Sequence, residues 1–142
     1  MPTRTATAEW KGALRDGSGS MKMQSGSYEG PFSFQSRFKE GEGTNPEELI
    51  GSAHAGCFSM QLSGELGGRG VTPESVQTEA RVEVSKVEGG FAISRIDLIT
   101  QVRAPGLDES TLQEAAQAAK VNCPVSQALK AVEITLDASL QA

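Results

Sequence analysis

The chain has 142 residues, a length typical of one domain, and we expect a single domain over residues 1–142. Hydrophobic residues make up 37% of it and aromatic residues only 5%, so its core must consist largely of aliphatic side chains. The formal net charge is −5, and acidic and basic residues are interspersed along the chain. The sequence therefore lacks the basic patch that binds nucleic acids or anionic membranes, and we expect neither as a partner. No segment approaches the roughly 20 apolar residues that cross a bilayer, so we expect a soluble cytoplasmic protein.

The first third of the chain predicts β-strands. Residues 3–10 alternate polar and small apolar side chains, and a turn signal follows at residues 16–19. Phe32, Phe34 and Ser36 also alternate, which predicts another strand. Arg37 comes directly after this alternation, so we expect it on the same strand but out of phase with the phenylalanine face.

A helix start follows this strand region. Asn45 suits the N-cap, Pro46 suits the first helical position, and Glu48 stands three residues after the cap, as a capping box requires. The helix should run from Pro46 to about Leu66, where two glycines stop it. Its larger apolar side chains are spread around the helix among many small residues. We therefore expect this helix to be buried on most of its faces.

The middle of the chain predicts two further strands. Residues 76–84 and 96–102 alternate apolar and polar side chains, and Glu88-Gly89-Gly90 predicts a hairpin turn between them. The alternation slips by one residue near Arg95, which indicates a β-bulge.

The last part of the chain predicts two helices and a strand. Asp108 should cap a helix that ends near Val121, and a short helix should follow Cys123. Apolar residues alternate again over 132–136. Strands, helix, strands, helices and strand in this order indicate an α+β fold.

The chain contains two cysteines, and each lies where a helix can act on its sulfur. Two cysteines are too few for the disulfide framework of a secreted domain, and in a reducing cytosol we expect free thiols. Cys57 lies within the first helix, three residues after His54. Cys123 precedes Pro124, which suits the first position of a helix. The sulfur of Cys123 is therefore expected at an N-cap, where backbone N–H groups and the helix dipole favour a thiolate.

The residues alone leave several interpretations open. A cysteine in a helix of small residues is more often an inert buried thiol than a nucleophile. His54, Cys57 and Cys123 could instead form a zinc or other soft-metal site, although no fourth ligand is evident. A third interpretation is a binding module for a small apolar molecule. Glu47 lies almost three helical turns before Cys57 on nearly the same side, so it could influence that sulfur only through an intervening group such as an arginine.

Two separate segments carry a more specific pattern. They are Asn45-Pro46-Glu47-Glu48-Leu49 with His54-Ala55-Gly56-Cys57-Phe58-Ser59-Met60, and Cys123-Pro124-Val125-Ser126. Together they resemble the OsmC branch of the OsmC/Ohr peroxidase superfamily, and the resemblance covers nearly the whole chain. It implies an α+β fold in which antiparallel sheets flank two central helices, within an intertwined homodimer whose active sites lie at the subunit interface.

The resemblance also implies roles for four residues. Cys57 matches the peroxidatic cysteine, Cys123 the resolving cysteine, Glu47 the active-site glutamate, and Arg37 an arginine expected from the partner subunit. An arginine held by Glu47 beside Cys57 should lower the pKa of that thiol.

The implied reaction is the reduction of organic hydroperoxides and hydrogen peroxide. Cys57 would become a sulfenic acid and then form a disulfide with Cys123. An external dithiol, of lipoyl or thioredoxin type, would reduce this disulfide. No cofactor or metal is implied, because the sulfur itself supplies both electrons.

Overall fold

The computed structural model describes all of residues 1–142. The elements in chain order are β1 (Ala6–Lys11), β2 (Ser18–Met23), β3 (Glu29–Phe32), α1 (Phe34–Phe38), α2 (Pro46–Gly68), β4 (Ser75–Val87), β5 (Gly90–Arg103), α3 (Glu109–Asn122), α4 (Pro124–Ala128) and β6 (Glu133–Leu140). This order confirms the predicted α+β fold. The chain divides into two compact units, Met1–Leu49 and Ile50–Ala142. None of the helices combines the length and the apolar character that a membrane crossing needs.

The first unit holds an antiparallel sheet in the order β1-β2-β3. The strand predicted through Ser36 is wrong, because β3 ends at Phe32 and a short helix, α1, follows. Ser33 and Ser36 form a reciprocal capping box: the Ser33 Oγ accepts from the Ser36 N–H at 3.1 Å, and the Ser36 Oγ accepts from the Ser33 N–H at 2.9 Å. This cap outweighs the apolar alternation, so Arg37 lies on a helix and not on a strand.

Helix α2 begins as the sequence predicts. The Asn45 Oδ1 accepts a hydrogen bond from the Glu48 N–H at 2.7 Å, which satisfies one of the free donors of the first turn. The predicted capping box is only half formed, because the Glu48 carboxylate accepts a hydrogen bond from the Thr44 hydroxyl at 2.9 Å.

The end of α2 lies at Gly68, two residues past the predicted Leu66. The Val71 N–H donates to the Leu66 carbonyl at 2.9 Å, and the Gly70 N–H donates to the Gly67 carbonyl at 3.0 Å. These two bonds form a Schellman motif, which requires a left-handed residue, and Gly70 supplies it with φ +81°.

The second unit holds a sheet in the order β4-β5-β6. Strands β4 and β5 form the predicted antiparallel hairpin, and the predicted bulge lies where Glu83 pairs with Arg95 but Val84 pairs with Ile93. Strand β6 pairs with β5 in parallel, so the expectation of antiparallel sheets is wrong for this mixed sheet. The reason is the connection: α3 and α4 carry the chain back across the sheet, and such a crossover joins parallel strands.

Helix α2 contributes a single buried stripe to the core of the second unit. Its buried positions recur every three or four residues, at Gly51, His54, Phe58, Leu62 and Leu66. Each large apolar side chain buried there contributes roughly 1.5–3 kcal/mol to stability. The expectation that most faces of α2 are buried is wrong for one chain, because its small residues between these positions leave the other side open. They are Ser52, Ala53, Gly56, Ser63, Gly64 and Gly67.

Gly51 allows α2 to approach the sheet closely. A Cβ atom at this position would lie 3.3 Å from the Val82 Cγ2 and 3.4 Å from the Ala80 carbonyl oxygen. This close approach offsets the roughly 1 kcal/mol that a glycine costs within a helix.

Helices α3 and α4 meet at Cys123. The Cys123 N–H donates to the Ala119 carbonyl at 2.9 Å and closes α3, while the Cys123 carbonyl accepts from the Gln127 N–H at 3.0 Å and opens α4. Pro124 occupies the first turn of α4, as predicted. The backbone of Cys123 is thus fixed by hydrogen bonds on both sides.

Candidate active site

The two cysteines of the second unit lie side by side. The Sγ atoms of Cys57 and Cys123 are 3.1 Å apart, and both are free thiols. This separation exceeds the length of a disulfide bond by only about 1 Å. Cys123 is fully buried, and Cys57 is partly exposed. A small shift of either side chain would therefore allow a disulfide to form.

An open cleft gives access to this pair of sulfurs. The cleft has a volume of about 490 Å³ and is lined by Cys57, Met60, Gln61, Gly64 and Pro124. In one chain Cys57 therefore borders an open cleft, whereas Cys123 is fully buried and does not line it.

The surroundings of Cys57 within one chain favour the thiol. Burial raises the pKa of Cys57, and the neighbouring Cys123 raises it further, while a hydrogen bond from the Val125 backbone N–H lowers it. The net direction within one chain is upward. The lowering that the family resemblance implies depends on an arginine of a partner subunit and stays a prediction.

His54 is fully buried one turn before Cys57. Its Nε2 lies 2.7 Å from the Ser126 Oγ, and its Nδ1 is buried without a hydrogen-bond partner. Burial lowers the pKa of His54, so the ring is neutral at pH 7. No three His, Cys, Asp or Glu side chains come together where they could hold a metal ion, so the zinc interpretation has no geometric support.

A polar cluster joins α2 to the end of α3 next to Cys123. The Glu65 Oε1 accepts hydrogen bonds from the Asn122 Nδ2 at 3.0 Å and from the Gln61 Nε2 at 3.1 Å. The Arg69 Nη1 lies 3.2 Å from the Glu65 Oε2. The hydrogen bond from Asn122 is the main reason that the pKa of Glu65 is lowered. This cluster ties the residue before Cys123 to α2.

Arg37 and Glu47 form an ion pair in the first unit. The Arg37 Nη2 and Nε donate to the Glu47 Oε1 at 2.8 and 3.1 Å. The Glu47 side chain is only 8% exposed, whereas that of Arg37 is 38% exposed. The Arg37 guanidinium also lies 5.1 Å from the centre of the Phe38 ring. Glu47 therefore fixes one edge of the guanidinium, and the rest of the group stays accessible.

A small apolar cavity adjoins this arginine. It has a volume of about 210 Å³ and is lined by Trp10, Leu14, Phe32, Ser33, Phe34, Arg37 and Phe38. The Arg15 guanidinium lies 5.0 Å from the centre of the Phe34 ring in this wall. Arg37 is the one lining residue with a positive charge.

The structure thus forms two pairs, Cys57 with Cys123 and Arg37 with Glu47, each within one unit. The sequence did not predict three hydrogen bonds at or near the sulfurs. They join the Val125 N–H to Cys57, His54 to the Ser126 hydroxyl, and Asn122 to Glu65. Ser126 carried a signal, because it follows Cys123 at the spacing at which His54 precedes Cys57. The other two contacts left no pattern in the sequence.

The fold and the cysteine pair define an α+β protein with two adjacent free thiols. The chain belongs to the OsmC-like protein family, whose match covers residues 39–137. This match extends across the division between the two units.

Named relatives and solved structures agree with the family assignment. The chain is 51% identical over 135 residues to Peroxiredoxin OsmC of Escherichia coli, a match that covers 94% of each chain. It is 31% identical over 98 residues to the Organic hydroperoxide resistance protein of Xanthomonas axonopodis pv. citri, covering 68% of this chain and 67% of that one. The crystal structure of the Organic Hydroperoxide Resistance Protein OhrB of Bacillus subtilis superposes with a TM-score of 0.71 at 25% identity, covering 96% and 98% of the two chains.

Proposed function

We propose that this protein is a thiol peroxidase that reduces organic hydroperoxides to alcohols, and hydrogen peroxide to water. The observation that carries the proposal is the 3.1 Å separation of two free sulfurs beside an open cleft. The names of the relatives support it, since one is a peroxiredoxin and another confers resistance to organic hydroperoxides. We assign to Cys57, Cys123, Glu47 and Arg37 the roles that the family resemblance implies.

The proposed reaction has two chemical steps. The Cys57 thiolate attacks the outer oxygen of ROOH, the O–O bond breaks, and the alkoxide takes a proton and leaves as ROH. Cys57 is then a sulfenic acid. The Cys123 sulfur attacks the sulfur of that acid, water leaves, and a disulfide between the two residues forms. An external dithiol reduces this disulfide by thiol–disulfide exchange and is itself oxidised to a disulfide.

Arg37 supplies the positive charge that this chemistry needs. A cysteine with an ordinary pKa near 8.5 is only a few per cent thiolate at pH 7, and burial raises the pKa of Cys57 above its usual value. In the proposed homodimer, Arg37 of the partner subunit lies beside Cys57, and the partner's Glu47 holds it there. The guanidinium lowers the pKa of Cys57 and stabilises the developing alkoxide.

The exposed side of α2 supports the proposed homodimer. It presents Ala53, Gly56 and Gly64, together with Met60, whose side chain is 79% exposed. Small residues allow a second backbone to approach closely, and an added Cβ at Gly56 or Gly64 meets nothing within 4 Å in one chain. We propose that α2 of the partner subunit packs on this side. Each chain forms one OsmC-like domain in this proposal. A cytoplasmic location is part of the proposal, because that compartment supplies reducing dithiols.

Ala53→Glu is expected to convert the dimer into monomers. A carboxylate placed in an apolar interface loses its hydration without a partner, which costs several kcal/mol per ion. The molar mass from light scattering should fall by half, and hydroperoxide consumption should fall at least tenfold. Gln117→Glu, which adds the same charge on the exposed side of α3, should leave both unchanged. A monomeric wild type, or a dimeric and active Ala53→Glu, would contradict the shared site.

Consumption of cumene hydroperoxide with dithiothreitol as the reductant tests the function itself. We expect sustained turnover with the dithiol, and consumption of only about one equivalent of peroxide per chain without it. Protein alkylated at both thiols beforehand serves as the control and should be inactive. Consumption no faster than that of the alkylated protein would reject the proposed function.

A further inference from the structure

A second contact joins the helices that carry the two cysteines. His54 lies three residues before Cys57 on α2, and Ser126 lies three residues after Cys123 on α4. The His54 Nε2 and the Ser126 Oγ are 2.7 Å apart, and the two sulfurs are 3.1 Å apart. Two contacts, one turn apart on each helix, therefore connect the same elements.

We propose that the hydrogen bond between His54 and Ser126 is a positioning device that holds Cys123 within bonding reach of Cys57. The inference rests on the proposed dithiol chemistry and deepens it. It assigns both residues to the closure of the disulfide and not to the attack on the peroxide. Neither residue lines the cleft beside Cys57, so both are positioning residues.

The need for such a device follows from the size of α4. This helix has five residues, far fewer than the roughly 12–15 at which an isolated helix becomes even marginally stable. Its placement against α2 therefore depends on contacts made by its side chains. Ser126 is the buried residue of α4, and it makes its side-chain hydrogen bond to α2.

The burial of both partners makes this bond effective. His54 is fully buried and Ser126 is 4% exposed, so water does not compete for either group. Removal of one partner would leave a polar atom of the other unsatisfied in the core. By contrast, the bond between Asn122 and Glu65 is exposed to solvent and holds the neighbouring segment more loosely.

The unpaired nitrogen of His54 indicates the direction of the hydrogen bond. The ring is neutral and therefore carries one proton, and its Nδ1 is buried without a partner. A buried N–H without an acceptor is rarer than a buried lone pair without a donor. We therefore assign the proton to Nε2, which donates to the Ser126 hydroxyl oxygen.

Equilibration with glutathione tests the positioning role without any peroxide. Reduced protein is held in buffers of graded reduced and oxidised glutathione, where each protein disulfide formed converts one oxidised glutathione into two reduced molecules. Free thiols are then alkylated, and the disulfide fraction is read by intact mass. Ser126→Ala loses one buried hydrogen bond. The ratio of oxidised glutathione to the square of reduced glutathione at half oxidation should therefore rise about five- to tenfold. Ser126→Thr, which keeps a hydroxyl, should stay within about twofold of wild type.

A control variant separates positioning from general stability. The Gln113 Nε2 donates to the Ala138 carbonyl at 2.7 Å and joins α3 to β6 away from the thiols. Gln113→Ala should lower the melting temperature and leave the glutathione midpoint unchanged. An equal shift in Gln113→Ala and Ser126→Ala, or no shift in Ser126→Ala, would overturn the positioning role.

The peroxidase proposal can fail independently of this inference. A wild type that consumes no hydroperoxide, combined with a shifted midpoint in Ser126→Ala, would reject the peroxidase and keep the positioning role. Normal hydroperoxide consumption by wild type, combined with an unshifted Ser126→Ala midpoint, would reject only the positioning role.

Discussion

Replacement of Cys57 by serine should abolish hydroperoxide consumption, with a loss of at least about 10³-fold in rate. A serine hydroxyl is not ionised at neutral pH, and its oxygen cannot be oxidised by the peroxide as sulfur can. Cys123→Ser should behave differently, because Cys57 still attacks and stops at the sulfenic acid. We therefore expect one rapid turnover per chain from Cys123→Ser, after which the rate is limited by direct attack of dithiothreitol on the Cys57 sulfenic acid. Stopped-flow measurement of peroxide loss distinguishes the two variants.

The two cysteine variants also test the order of the roles. Cys57 borders the open cleft, whereas Cys123 is fully buried and does not line it. A rapid first turnover by Cys57→Ser, with none by Cys123→Ser, would show that the roles are reversed. Equal, wild-type rates in both variants would contradict a thiol mechanism altogether.

Arg37→Ala should slow peroxide consumption by about 100-fold, the typical effect of removing one donor that stabilises developing charge. It should also raise the pKa of Cys57, because burial and the neighbouring Cys123 already raise that pKa within one chain. The thiolate fraction at pH 7 then falls, so the rate should recover partly as the pH rises. The pH profile of iodoacetamide alkylation of Cys57, measured in a Cys123→Ser background, reports the shift directly.

Matched variants at the same pair refine this test. Arg37→Lys keeps the charge but loses the two parallel donors that the Glu47 Oε1 accepts, so an intermediate rate is expected. Glu47→Gln keeps the size of the side chain and removes the charge that orients the guanidinium. An alkylation profile and a peroxide rate in Arg37→Ala equal to those of wild type would remove this arginine from the site.

Much of the fold could be predicted because local signals agreed with the final structure. The N-cap at Asn45, the strand alternation around the bulge at Arg95 and the proline after Cys123 each act over a few residues. Helix α1 was missed because its alternating phenylalanines suit a strand, while the two serines that cap it form a weaker pattern. The parallel pairing of β6 depends on how the crossover folds, which alternation does not reveal.

The site could be predicted only in part, for a different reason. Helix positions place each sulfur, but the contact between Cys57 and Cys123 joins residues 66 positions apart. The bond between His54 and Ser126 spans 72 positions. The pKa of Cys57 depends on burial and on a backbone N–H, neither of which residue identities encode.

The most direct measurement is the intact mass of reduced wild-type protein after addition of one equivalent of cumene hydroperoxide. We expect the loss of two hydrogens per chain, with peptide mapping that joins Cys57 to Cys123. Cys123→Ser should instead gain one oxygen on Cys57, and Cys57→Ser should not change. An unchanged mass in the wild type, with both thiols still free to alkylate, would contradict the proposal that these two sulfurs form a peroxide-driven dithiol pair.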